Sequence, residues 1–235
     1  MVCRIASRFS FHRERAFALR KALATDPSSM KLPDASASTD ASRATARRQQ
    51  ILHAAAQCFR EHGFHGASIA QISKTAGMSP GHIYHYFDNK EAIIAAIVAQ
   101  DLESLLTLTA ELRAACNVRA ALIERAAEGV ADQLDPAGAA LKLEIVAEAA
   151  RNPRVAQIVR EADATCRREL AITIGEIRRA AGHQDTPAAI EHMVEVLASL
   201  FEGLLVRTIR NPGLDRARVA QRIQIAIDDL LDQPD

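Results

Sequence analysis

The chain has 235 residues, 49% of them hydrophobic, enough to bury a full core and to form one small and one larger domain. Its 29 Lys/Arg and 29 Asp/Glu cancel, but residues 1–100 carry 13 basic against 7 acidic groups and six of the eight histidines, leaving an acidic remainder. Four scattered cysteines with no C-x-x-C pair exclude a zinc ribbon or disulfide framework and suit a reducing cytosol, and no uninterrupted apolar run approaches the roughly 20 residues of a membrane span.

The opening stretch MVCRIASRFSFHRERAFALRKAL is Arg-rich and nearly free of acidic groups. Three readings are open for it: a transit-peptide-like leader, an artefact upstream of a true start at Met30, and a floppy basic arm that adds phosphate contacts. The last two are favoured. Residues 24–46 are rich in Ser, Thr, Ala, Asp and Pro without periodicity and read as a linker.

From Arg47 to Lys90 the chain has the layout of a helix-turn-helix: an amphipathic helix, a tight turn, a short second helix, a Gly-centred turn and a short third helix. Ile51, Ala55, Cys58 and Phe59 form the inward face of the first helix, which Gly63 and Gly66 close. Ser68 and Gln71 have capping-box spacing for the second helix. Gly77 ends that helix, and Pro80 opens the third. Phe64, Ile69, Ile72, Ala76, Met78, Ile83 and Phe87 continue the core, with the Tyr84 ring packed and its hydroxyl outward. Ser79, Pro80, Gly81, His82, Tyr84, His85, Tyr86 and Lys90 are left to cover the surface, where they can meet phosphate oxygens or base edges. His82 and His85 lie three apart with no Cys or carboxylate at ligand spacing, so neither a metal nor a cofactor is expected.

Beyond the head, Asp88-Asn89 caps a long helix from Lys90 to about Leu112. Five more helices follow over 117–134, 136–150, 153–181, 187–210 and 214–231, separated by Asp135-Pro136, Asn152-Pro153, residues 182–187 and Asn211-Pro212-Gly213. The expected fold is all-α, with three helices in the head and six in the body. Domain boundaries fall at 1–42 (disordered extension and linker), 43–89 (DNA-binding helix-turn-helix) and 90–235 (body).

Ile190, Val194, Leu197, Phe201, Leu204 and Leu205 make one apolar stripe; Val219, Ile223, Ile227 and Leu230 make another. Either the two helices pair with those of a second copy as a four-helix bundle, or the stripes cover the body's own core. The homodimer is favoured because a helix-turn-helix usually reads paired half-sites. Glu144, Glu148 and Arg151 share one helical face, read as a solvated i,i+4 face. The alternative turns Glu144 or Glu148 inward toward a bound molecule.

The segment GASIAQISKTAGMSPGHIYHYFDNKEAIIAAI resembles the DNA-binding region of the tetracycline-repressor (TetR) family of bacterial regulators. Gly77, Ser79, Gly81, Ile83, Tyr84, Tyr86, Phe87, Lys90 and Glu91 stand in the family's register over some 45 residues. The resemblance implies a cytoplasmic, homodimeric repressor that binds double-stranded DNA at a palindromic operator and is released by a small-molecule effector. It implies that Ser68 holds a phosphate, that Pro80, Gly81 and His82 touch base edges, and that Tyr84, Tyr86 and Lys90 contact phosphates. Ala67 and Ala70 depart from the Thr and Arg common in the family, which shifts readout toward the third helix and His82.

The resemblance also implies an effector pocket in the body, for which Leu105, Leu108, Leu112, Leu143, Ala147, Met193 and Phe201 are the candidates. Phe201 is the only aromatic residue after Phe87, so an aliphatic or small polar effector is expected rather than a flat aromatic cation. No G-x-S-x-G, P-loop, H-E-x-x-H or G-x-G-x-x-G motif appears, so an enzyme is not expected. An activator of the same fold and an all-helical carrier or adaptor are the alternatives.

Overall fold

The computed structural model describes residues 35–233, with side chains from residue 42 onward. The readings of the first 34 residues, including the start at Met30 and the linker over 24–34, lie outside the described residues. Among the described residues there are nine helices and no strand: α1 Ala35–Gly66, α2 Ile69–Ala76, α3 Pro80–Tyr86, α4 Lys90–Arg113, α5 Val118–Gln133, α6 Pro136–Ala149, α7 Pro153–Ala180, α8 Pro187–Arg210 and α9 Arg216–Asp232. Residues 1–45 and 46–235 are separate compact units, and the second holds the head and the body.

The expected linker over 35–46 is instead helical. Five alanines in that stretch supply helix propensity that outweighs its Ser/Thr content, so residue 43 lies inside α1. Gly63 interrupts α1 with φ 70° and ψ 167°, a conformation open essentially only to glycine. At the start of every later helix a side chain accepts an amide that has no partner within the helix: Ser68, Ser79, Asn89, Asn117, Asp135, Asn152, Thr186 and Asp215. The Ser68–Gln71 capping box is complete, and Gly77 closes α2 in the left-handed conformation.

Two apolar clusters hold the molecule together. In the first, Ile51, Phe59, Phe64, Ile72, Ile83 and Phe87 of the head pack with Ile93, Ile94 and Ile97 of α4, Ile145 of α6 and Val155 of α7. The head's core therefore continues into three body helices. The second joins α5, α7, α8 and α9 through Val130, Leu134, Ile174, Met193, Val194, Leu197 and Ile227.

This second cluster corrects the expected dimer interface. Ile190, Val194, Leu197, Leu204, Ile223 and Ile227 are buried inside the protomer, and Val219 and Leu230 pack against the same core. Helical periodicity reveals that a face is apolar; it does not say whether the same chain or a second one covers it. The outward apolar positions on these helices are others, among them Val196 and Leu200 on α8 and Ile225 on α9.

By length and composition α4 is apolar enough to cross a bilayer, although Asp101 and Glu103 interrupt its apolar run. Its Ile93, Ile94, Ala96 and Ile97 are packed in the protein core. Polar ties lock the far end of the body. The fully buried Arg178 pairs with Asp185 and donates to the carbonyls of Leu231 and Gln233, 2.8 Å each. Arg119 on α5 grips Asp228 and Asp232 on α9.

Candidate nucleic-acid interface

With seven residues, α3 can bury only one side. Ile83 is fully buried and Phe87 closes the same side, while Ser79, Pro80, Gly81, Tyr84 and His85 are exposed and His82 and Tyr86 half-buried. Ser79 fixes the start of the helix by accepting from the His82 amide at 3.2 Å. A Cβ at Gly81 would meet nothing within 4 Å, so the backbone is open to close approach there.

Of the two tyrosines expected at the surface, it is Tyr86 and not Tyr84 whose ring packs inward. Tyr84 is 53% exposed, whereas Tyr86 packs against the head core. The i, i+3, i+4 spacing of Ile83, Tyr86 and Phe87 puts those three on one face and turns Tyr84 outward. Tyr86 also supports the two histidines, its ring centroid lying 5.4 Å from His82 and 5.2 Å from His85. Arg48 on α1 covers the Phe87 ring at 5.0 Å, and Gln50 Nε2 donates to the Ala76 carbonyl at 2.7 Å, so α1 braces α2 and the end of α3.

Ser68 is exposed at the start of α2, and while its oxygen accepts from Gln71 its own O–H is left to donate. Ala67 is buried in the head core and Ala70 is exposed, so neither offers a side-chain donor at the surface. Residues 43–90 carry six Lys/Arg against only Glu61 and Asp88, a balance suited to a polyanion.

Lys90 does not stand free for a phosphate. Its Nζ donates to the carbonyls of Phe64 at 2.6 Å and Ala67 at 2.9 Å, and lies 4.4 Å from the Phe64 ring centroid. Carbonyls where a helix ends lack partners within it and attract a cation, which outcompetes solvent for this ammonium.

Two family models match the chain: "Bacterial regulatory proteins, tetR family" over residues 51–97, and "BetI-type transcriptional repressor, C-terminal" over residues 121–232. The solved structure of Salmonella enterica GusR is 32% identical, with a TM-score of 0.66 over 80% of this chain and 96% of GusR. The chain belongs to the TetR family of bacterial regulatory proteins. Among curated TetR-family relatives, the HTH-type transcriptional regulator UidR of Escherichia coli (strain K12) is 38% identical over 113 residues, 48% of this chain and 57% of UidR. The HTH-type transcriptional repressor AcnR of Corynebacterium diphtheriae is 40% identical over 65 residues, 28% of this chain and 34% of AcnR. The chain thus spans little more than half the length of UidR.

Among the described residues, the seven expected pocket residues lie in different surroundings. Met193 and Phe201 belong to the body core, and Phe201 lies so close to α5 that a Cβ on Gly129 would be 3.0 Å from its ring. Leu105, Leu108, Leu143 and Ala147 are half-buried on α4 and α6, and Leu112 is buried. Two surface cavities stand out. One of about 530 Å³ is lined by Gln49, Gln50, His53 and Gln57 of α1 and by Thr75 and Ala76; the other, of about 330 Å³, includes Leu112 with Glu111, Arg125 and Glu128.

Also in the body, the protein atoms crowded around the exposed Asp101 desolvate its carboxyl and push it above the ordinary range, partly offset by Lys142. Desolvation and the nearby Asp163 raise the Cys166 thiol. Glu144 and Glu148 are not a solvated pair: Glu148 is buried, and both reach the last turn of α1, Glu144 at the Phe64 amide and Glu148 at His65.

Proposed function

We propose that this TetR-family protein is a homodimeric transcriptional repressor that reads a palindromic DNA operator with α3 and is released by a small-molecule effector. The observation that carries this reading is the outward face of α3. Ser79, Gly81, His82, Tyr84 and His85 cluster on a helix whose opposite side is sealed by Ile83 and Phe87. Hydrogen-bonding and aromatic side chains in that position contribute little to packing and much to contact with a duplex. The names of UidR and AcnR as regulator and repressor support the same reading. Val196, Leu200 and Ile225 are the outward apolar positions for the dimer contact. Phe201 as the sole aromatic side chain of the body favours an aliphatic or small polar effector.

Fluorescence anisotropy against a duplex from the chain's own upstream region, beside a scrambled duplex, tests the reading. The expected result is tighter binding to the first, with affinity falling steeply between two salt concentrations as phosphate contacts release counterions. His82→Ala should lose roughly tenfold or more in the specific complex, the cost of about 1–3 kcal/mol for a lost base contact, while scrambled binding barely changes. Equal affinity of wild type and His82→Ala for both duplexes, with a shallow salt slope, favours an adaptor instead.

A further inference from the structure

Beyond the kink at Gly63, the last turn of α1 leads through Ala67 directly into Ser68, the cap of α2. It is held from two sides. Lys90 at the start of α4 takes its carbonyls, as described above. From the other side, the Phe64 amide donates to Glu144 Oε1 on α6 at 2.7 Å. Gly63 lies so close to the same oxygen that a Cβ there would be 3.1 Å from it.

One turn further along α6, Glu148 is 1% exposed and faces His65, whose Nε2 is 2.9 Å from Glu148 Oε2. Glu148 Oε1 accepts from Asn152 Nδ2 at 3.0 Å, and Asn152 also leans toward Glu91 on α4, at 3.4 Å. Glu148 Oε2 is buried without a hydrogen bond, and its basic neighbours are His65 Nε2 at 2.9 Å and Arg151 Nη2 at 3.9 Å. A buried carboxyl oxygen without a hydrogen bond is costly, and it would regain hydration if the last turn of α1 moved away.

We infer that Glu144 and Glu148 are positioning residues that set the orientation of the DNA-reading head. They form a latch by which a displacement of α6 in the body is passed to the last turn of α1 and on to α2 and α3. Where this bears on DNA it rests on the function proposed above. The last turn of α1 is held by Lys90 of α4 and Glu144 of α6, so it responds to the relative position of these two helices. A molecule that shifts α6 by about an ångström need not touch the head to reorient it.

Amide exchange at residues 63–67 and duplex affinity, measured on the full chain, test the latch. Glu144→Ala is expected to speed exchange at the Phe64 amide and to weaken binding to the upstream duplex roughly tenfold, within the range of site-to-site coupling. The melting of the remaining helices should hardly change. Glu144→Gln, whose amide oxygen still accepts from Phe64, should restore both readouts, and His65→Ala, which removes an exposed side chain, should weaken binding less. Unchanged exchange at Phe64 in Glu144→Ala overturns the proposal, as does faster exchange with wild-type affinity. A wild-type protein that binds upstream and scrambled duplexes equally counts against the DNA reading instead, and the exchange result still decides whether α6 holds the last turn of α1.

Discussion

Arg178→Ala is expected to destabilise the protein by about 3 kcal/mol or more, the usual cost of removing one partner of a buried ion pair. The guanidinium is fully buried and uses its fork on Asp185 and on the carbonyls of Leu231 and Gln233. It thereby joins α7, the α7–α8 connection and the end of α9. Truncation leaves a carboxylate and two carbonyls without donors. Urea denaturation followed by circular dichroism checks this, and Arg178→Lys should recover little because an ammonium cannot reproduce the bidentate geometry.

The same pair gives the stability a pH dependence. The Arg178 hydrogen bonds hold the Asp185 carboxyl below the ordinary carboxylate range. A group depressed in the folded state contributes fully above its unfolded value, near pH 4, and its contribution declines as pH falls through the folded value. The gap in urea midpoint between wild type and Arg178→Ala should therefore narrow on acidification below about pH 4.

Gly63→Ala is the second large effect. The backbone at φ 70° and ψ 167° lies where a side chain costs about 1–3 kcal/mol in strain, and the new methyl would press on Glu144 Oε1 at 3.1 Å. Relief requires either unwinding the turn or expelling Glu144, so the loss should reach about 2–3 kcal/mol and should also weaken DNA binding. Gly77→Asn is the control. Its φ of 65° and ψ of 33° lie in the left-handed helical region that asparagine visits, and a Cβ there meets nothing within 4 Å. Urea midpoints should show a small loss for Gly77→Asn and a large one for Gly63→Ala; equal losses would contradict the strain argument.

Local signals in the sequence were readable because their physics is local. Ser68 with Gln71, Asn89 and the pairs Asp135-Pro136 and Asn152-Pro153 each satisfy or remove an amide within a few residues, so they mark helix starts without knowledge of the fold. Gly77 marks a stop for the same reason. Signals that depend on distant partners were not readable. Glu144 meets Phe64 across 80 residues and Glu148 meets His65, and nothing in i,i+4 spacing distinguishes that from a solvated face.

The α8 and α9 stripes were recognised as apolar, but their cover is the chain's own α5 and α7. On α3 the short helix is legible from Pro80 and its caps, but its rotation is not: Tyr84 is exposed and Tyr86 packs against the head core. In α1, alanine-rich residues continued a helix where Ser and Thr had suggested a linker.

Selection from a random-sequence duplex pool by the purified full chain presupposes no operator and reads out dimeric DNA recognition itself. Enrichment is expected for a palindrome whose half-site centres are one helical turn, about 34 Å, or a small multiple apart, as two α3 helices in successive major grooves require. The same selection with His82→Ala should relax the consensus within each half-site while keeping the spacing. No enrichment over the starting pool, or a consensus without two-fold symmetry, would contradict a dimeric operator-reading repressor.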